Sequence, residues 1–249
     1  MIIEFIGCTG AGKTTLIKEV QRRLNKTAQV TTSMDLVVGL LRLRNVTNPT
    51  VQNFIQELVS FPFFIRSLYR YKAFMLYTMR LFLRNSSISI STINNLRSLE
   101  RKIGVYEITR HRSKDRIILV DEGPILAAHM FVFTGAAYTP QEISRFADLL
   151  PLPDLVVYVR ASVDTLVKRT LRRDDPPKEM NTKNLSQTEG YAKSALTIFD
   201  QLVKAENIQR RLLIIESPDF AAQGYDKVVD DISELILNRT LLTNEISKL

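Results

Sequence analysis

Residues 7–15 read GCTGAGKTT and follow directly on IIEFI at residues 2–6. No other junction constrains the chain as tightly. The β-branched run suits a central parallel strand covered on both faces. Gly7, Gly12, Lys13 and Thr14 then satisfy G-x-x-x-x-G-K-[ST], with Gly10 adding freedom inside the turn. At that spacing successive backbone N–H groups point inward around phosphate oxygens. The lysine reaches the outer phosphates, and the threonine hydroxyl can ligate Mg²⁺. A helix starting at Lys13 adds its positive end. The expected cradle is Gly7, Cys8, Thr9, Gly10, Ala11, Gly12, Lys13, Thr14 and Thr15, with a polyphosphate as its ligand. Cys8 is a small loop residue whose place beside the phosphates would make it sensitive to thiol reagents, and it is not read as a nucleophile.

The rest of the chain alternates strand and helix patterns. Strands are expected at Ile2–Ile6, Gln29–Thr32, residues 117–121, Leu155–Val159 and residues 212–216. Helices are expected at about 13–25, through 37–84 with a start at Pro62, and at 94–111, 125–133, 140–149, 163–173, 188–206 and 222–238. Such alternation predicts a three-layer α/β fold with a mostly parallel sheet. Its length of 249 residues suits one domain with an insertion, or at most two small domains. Residues 37–90 are read as a helical insertion, and 169–187 as a lid whose polar part, Asp174–Gln187, contains two adjacent prolines.

One cysteine cannot form an internal disulfide, and the chain opens on strand and loop with no signal peptide, so a cytoplasmic protein is expected. Residues 123–141 carry no acidic or strongly basic side chain. Pro124, Gly135 and Pro140 interrupt them, so they read as buried helix and loop rather than a membrane span. The net charge of +8 is concentrated. Residues 61–116 hold 12 Lys and Arg against 3 Asp and Glu, and the remainder 22 against 23. Two readings stand for this block: solvated helix faces, or attraction for an acidic ligand, nucleic acid or anionic membrane. Within it, Ser60–Arg84 interleaves aromatic and aliphatic residues with arginines. It is read first as core or interface, including that of a homodimer, and a peripheral membrane helix is the less favoured use. No nucleic-acid-binding motif accompanies the charge, so nucleic acid is not expected as a partner.

Further carboxylates and arginines complete the candidate site. Asp121 ends the aliphatic run at 117–120, where a carboxylate reaches Mg²⁺ or its water shell, and Glu122 shares or replaces that role. Asp35, just past the second strand, is either the group that orients or deprotonates an acceptor or the N-cap of the next helix. Arg169, Arg172 and Arg173 sit three and four apart on one helical face. Their guanidinium forks match phosphate oxygens, or else they complement the helix dipole. DDPP follows and stops the helix. The two histidines and Cys8 form no zinc pattern.

The chain has no Asn-Lys-x-Asp run, no LSGGQ-like run and no G-x-G-x-x-G, which sets aside GTPases, transporter ATPases and dinucleotide-binding domains. The loop GCTGAGKTT, VDEG at 120–123 and VVYVRASVDTLVKRTLRRDDP at 156–176 resemble the P-loop nucleoside and nucleotide kinases, in layout the thymidylate kinase and deoxynucleoside kinase group. Thr9 stands where thymidylate kinases often carry an acid. Asp121-Glu122 stands where that group has Asp-Arg or Glu-Arg. The resemblance implies a P-loop NTPase fold with an arginine-bearing lid. It also implies ATP and Mg²⁺, and phosphoryl transfer to a small-molecule acceptor, a nucleoside or nucleotide. Lys13, Asp35, Asp121, Arg169, Arg172 and Arg173 would be the catalytic set, with Thr14, Asp121 and Glu122 toward the metal. Two alternatives remain: a kinase of a sugar or other metabolite, and a regulatory P-loop ATPase working through a protein or membrane partner.

Overall fold

The computed structural model describes residues 1–40, 49–85, 90–113, 116–133, 138–173, 185–217 and 225–246. Among them five strands form one sheet, every pair parallel, in the order β2-β3-β1-β4-β5. The strands are β1 (Ile2–Ile6), β2 (Val30–Thr32), β3 (Ile117–Val120), β4 (Leu155–Arg160) and β5 (Leu212–Glu216). β1 lies in the middle, with Ile3 level with Leu119 on one side and Leu155 on the other. All five of its residues are buried, as its near-continuous apolar run requires of a strand covered on both faces. The helices in chain order are α1 (Lys13–Leu24), α2 (Ser33–Leu40), α3 (Pro49–Arg70), α4 (Lys72–Asn85), α5 (Ile90–Arg112), α6 (Met130–Phe133), α7 (Pro140–Leu149), α8 (Val163–Leu171), α9 (Leu185–Leu202), α10 (Glu206–Gln209) and α11 (Tyr225–Ile246). A 3₁₀ turn over Ile125–His129 leads into α6. The result is the three-layer α/β architecture expected from the alternation of patterns, and it is P-loop NTPase-like, as the resemblance implies.

Local signals explain several boundaries. α7 begins with a capping box: Thr139 Oγ1 accepts from the Glu142 N–H at 3.2 Å, and the Glu142 carboxylate accepts from the Thr139 N–H at 2.9 Å. Pro140 occupies the first turn, where no N–H is missed. Ser162 caps α8 by accepting from the Thr165 N–H. The core joins the sheet to the helices through fully buried Phe5, Phe74, Phe82, Phe146 and Phe199, with the Phe74 and Phe146 rings 5.2 Å apart.

Some expectations are corrected. Pro62 lies inside α3 rather than at a helix start. A proline there removes a helical hydrogen bond, and tertiary packing overrides the cost. α3 lies so close to α5 that a Cβ at Gly104 would stand 2.4 Å from Ser60 O, and Arg97 forks onto Glu57 at 2.6 and 2.7 Å. α5 starts four residues earlier than its pattern indicates, and α11 runs eight further. Residues 125–133 begin as a 3₁₀ turn, and 185–187 are already helical. Residues 41–48 and 86–89 of the expected insertion and 174–184 of the expected lid lie outside the described residues. Among the described residues no helix is long and apolar enough to cross a membrane.

Candidate active site

The carboxyl ends of β1 and β3 sit side by side, and the turns that leave them build the site. In a parallel sheet this is where strand order reverses and a crevice opens. Gly7, Gly10 and Gly12 all have positive φ, at 140°, 84° and 93°. Gly7 also has no room for a side chain, because a Cβ would meet Val159 O of β4 at 2.3 Å. At Gly10 the crowding comes from α8, with Leu166 O at 2.8 Å and Thr170 Oγ1 at 2.9 Å. The cradle is therefore wedged between β4 and α8, and its shape is set before any ligand arrives.

Cys8 and Ala11 face inward and are each 1% exposed. Burial pushes the Cys8 thiol up to about 12. It therefore stays protonated and out of reach of thiol reagents, which corrects the expectation from its place in the loop. Lys13 folds its ammonium back onto the turn, donating to Gly7 O at 2.9 Å and Cys8 O at 3.2 Å. Burial holds its pKa below the ordinary lysine range, against the pull of Asp121. Thr14 and Thr15 are exposed at the start of α1.

Asp121 and Glu122, equivalent in the sequence, separate in space. The Thr14 hydroxyl donates to Asp121 Oδ2 at 2.6 Å. Glu122 takes a different partner, accepting from Arg101 of α5 at 2.9 Å. Burial alone would raise the Glu122 carboxyl, but Lys102, Arg101 and Lys13 outweigh it and hold the group below the usual carboxylate range. Asp35 is the third residue of α2, not a residue ahead of it. Thr32 takes the N-cap place: its hydroxyl accepts from the Asp35 N–H at 3.1 Å and donates to Asp35 Oδ2 at 2.8 Å. That leaves the exposed Asp35 carboxylate at the rim of a cavity of about 450 Å³. Thr14, Asp121 and Glu122 line one side of it, and Thr32, Ser33, Asp35 and Gln56 line another.

The three arginines do not act as one cluster here. Arg169 donates to Ser217 Oγ at 2.7 Å, and Ser217 in turn donates to Ala11 O at 2.8 Å, which ties the end of β5 to the cradle. Arg173 is near enough to Lys13 to help lower its pKa. Arg172 is exposed at the C-cap of α8. Away from the cavity, Glu57 of α3 pairs with Arg97 and Arg110 of α5 pairs with Glu107. His129 packs edge-on to Phe199 at 5.0 Å, and burial keeps it neutral. Among the described residues no three His, Cys, Asp or Glu side chains form a metal cluster.

Glu4 was not found by motif reasoning, although a lone acid inside an aliphatic strand is a legible signal. It is wholly buried. Its Oε1 accepts from Ile125 N–H at 2.9 Å and Leu126 N–H at 3.2 Å, and its carboxyl fills the space beside Gly123 where a Cβ would sit. Glu4 thereby fixes the turn that carries Asp121 and Glu122. Burial raises its pKa to about 8, against those two N–H bonds and Lys102. Because the folded value lies above the unfolded one, the stability linked to this proton is complete below about pH 4.5 and is lost as pH rises toward about 8. Glu4→Gln removes that titration. The thermal midpoint of the variant should therefore climb relative to the parent between about pH 5 and about pH 8. Melting curves across that range test this, and a constant difference would refute it.

No family model matches the chain, and no curated protein matches it in sequence. Solved structures do match. Thymidylate kinase from Candida albicans superposes with a TM-score of 0.50 at 11% identity, over 96% of this chain and 92% of that one. Shikimate kinase from Bacteroides thetaiotaomicron gives 0.48 at 12%, over 95% and 98%. Shikimate kinase from Acinetobacter baumannii in complex with shikimate gives 0.43 at 15%, over 96% and 94%. The likeness to the thymidylate kinase is one of fold.

Proposed function

We propose that the protein is an ATP-dependent kinase of a small molecule, with residues 1–249 as one catalytic domain and residues 37–90 as a helical insertion in it. The observation that carries the reading is one arrangement. A glycine cradle holding Lys13 adjoins the Thr14–Asp121 pair, and that pair lines a cavity that also holds Asp35. A binding protein needs the cradle alone. A second chamber with its own carboxylate beside the transferable phosphate serves an acceptor.

In this reading the backbone N–H groups of residues 7–15 bind the phosphates of ATP, and Lys13 leaves the Gly7 and Cys8 carbonyls to meet them. The donor set suits magnesium: a hydroxyl and a carboxylate 2.6 Å apart at Thr14 and Asp121, with phosphate oxygens and water left to complete a hard-cation shell. Magnesium, when bound, would offset charge on the phosphate oxygens. Glu122 serves the site indirectly, through its pairing with Arg101. Asp35 accepts the proton of an acceptor hydroxyl, or orients an acceptor phosphate, as the phosphoryl group passes from ATP to that oxygen and ADP leaves. Arg173, near Lys13, offsets charge on the moving group, and Arg172 lies next to it in the chain. Arg169 holds the cradle's outer wall through Ser217. The acceptor is a nucleoside or nucleotide, with sugars as the next class.

The test is ADP formation from Mg²⁺·ATP across nucleosides, nucleoside monophosphates and sugars, with mass detection of the phosphorylated product. Asp35→Asn should lower turnover with a hydroxyl acceptor by roughly 10²- to 10⁴-fold while nucleotide binding persists. Partner-stimulated hydrolysis without any phosphorylated product would replace this reading with that of a regulatory ATPase.

A further inference from the structure

Helices α3 and α4 carry a surface that the catalytic reading does not use. On α3, Phe54, Leu58, Phe61, Ile65 and Tyr69 are all exposed, Tyr69 to 84%. Their steps of four, three, four and four residues set them on one stripe of the helix. On α4, Leu76, Met79 and Leu83 repeat the pattern, with Leu76 71% exposed. The stripes meet at an apolar groove of about 580 Å³ between α3, α4 and α5, into which Phe54, Leu58, Phe61, Met75 and Met79 project. Isolated apolar side chains on a surface are ordinary. Two aligned helical stripes joined by a groove mark a docking face.

Charge selects the occupant. Ser60–Arg84 contains five Lys and Arg and no Asp or Glu. Arg66, Arg70, Lys72 and Arg80 are exposed among the apolar residues, and the Lys72 ammonium lies 5.6 Å from the centre of the Tyr69 ring. The two acids that line the groove, Glu57 and Glu100, are engaged by Arg97 and Ser60, so a second copy meeting this face through a two-fold axis would bring the same cations against one another. An anionic bilayer supplies both things the face lacks, apolar depth for the leucines and aromatics and negative charge for the arginines. We propose that α3 and α4 form a peripheral docking surface for anionic membranes, with the apolar stripes entering the interface and the cations lying at headgroup level.

The experiment is co-sedimentation of the full chain with phosphatidylcholine vesicles, with and without phosphatidylglycerol, alongside light scattering for oligomeric state. The expected result is binding to the anionic vesicles alone, weakened by salt. Arg66→Gln and Arg80→Gln should each lower the partition coefficient about five-fold. Ile65→Glu with Leu76→Glu should abolish binding without shifting the melting curve, since both side chains are solvent-facing. Three results would each overturn the proposal: no binding to either vesicle, binding that Ile65→Glu with Leu76→Glu leaves intact, or a solution dimer that those substitutions break in a chain that ignores vesicles. The third would assign the face to a homodimer.

Discussion

Lys13→Ala is expected to lower acceptor-dependent ADP formation by about 10³-fold while leaving the fold in place. The side chain sits at the edge of the cradle, and its only described hydrogen bonds run to the Gly7 and Cys8 carbonyls of the same turn. Among the described residues these bonds stay within the turn and reach neither the sheet nor the helical layers, so the melting curve should stay close to that of the parent. Its charge is another matter. Burial keeps the Lys13 ammonium poorly hydrated. In a water-poor site a fixed positive charge beside transferring phosphate oxygens is worth far more than in solution. Mg²⁺·ATP binding measured by calorimetry should weaken as well, by less than turnover falls, because the backbone N–H groups and Thr14 remain. Full turnover in the variant would remove the lysine from the mechanism and the kinase reading with it.

Gly7→Ala is expected to damage the fold itself. Two independent costs coincide at this residue. Its φ of 140° is a conformation that L side chains rarely adopt. An added Cβ would also stand 2.3 Å from Val159 O, a backbone atom of a central strand that has no rotamer by which to escape. Strain and overpacking together come to roughly 3–5 kcal/mol, a large share of the roughly 5–15 kcal/mol that holds a domain together. For a chain of this size that corresponds to a fall of about 10 °C in thermal midpoint. Differential scanning calorimetry of the apo protein measures it without any need for a substrate. A shift within experimental error would mean that the β1–β4 contact yields more easily than its geometry indicates. Lys13→Ala and Gly7→Ala thus separate chemistry from architecture within seven residues of one loop.

Legibility in the sequence followed the range of the interactions involved. The cradle was readable because its requirements are local: glycine where φ is positive, a lysine and a threonine at fixed offsets, a strand before and a helix after. The sheet was readable because parallel strands buried on both faces leave continuous aliphatic runs such as IILV at residues 117–120. Pro62 was misread because a local rule about helix starts met packing from a helix forty residues away, at Gly104. Asp121 and Glu122 were indistinguishable because adjacent residues carry the same chemistry until Thr14 pairs with one and Arg101 with the other. Asp35 was placed near the site by its position after β2, but the part taken by Thr32 as the cap emerged only from hydrogen bonds.

By itself, then, the sequence determined that this chain winds a parallel α/β sheet and ends its first strand in a phosphate-shaped turn, since backbone dihedrals and apolar periodicity are properties of neighbours along the chain. Tertiary structure decided everything that depends on neighbours across it. It decided that Glu4 lies buried under the turn bearing Asp121, that Arg169 braces the cradle through Ser217, and that a cavity joins Thr14 and Asp121 to Asp35. It also decided that α3 and α4 turn their apolar stripes outward. Burial, desolvation and pairing arise only when distant segments meet, and those are the quantities that set a carboxylate's charge and a surface's partner.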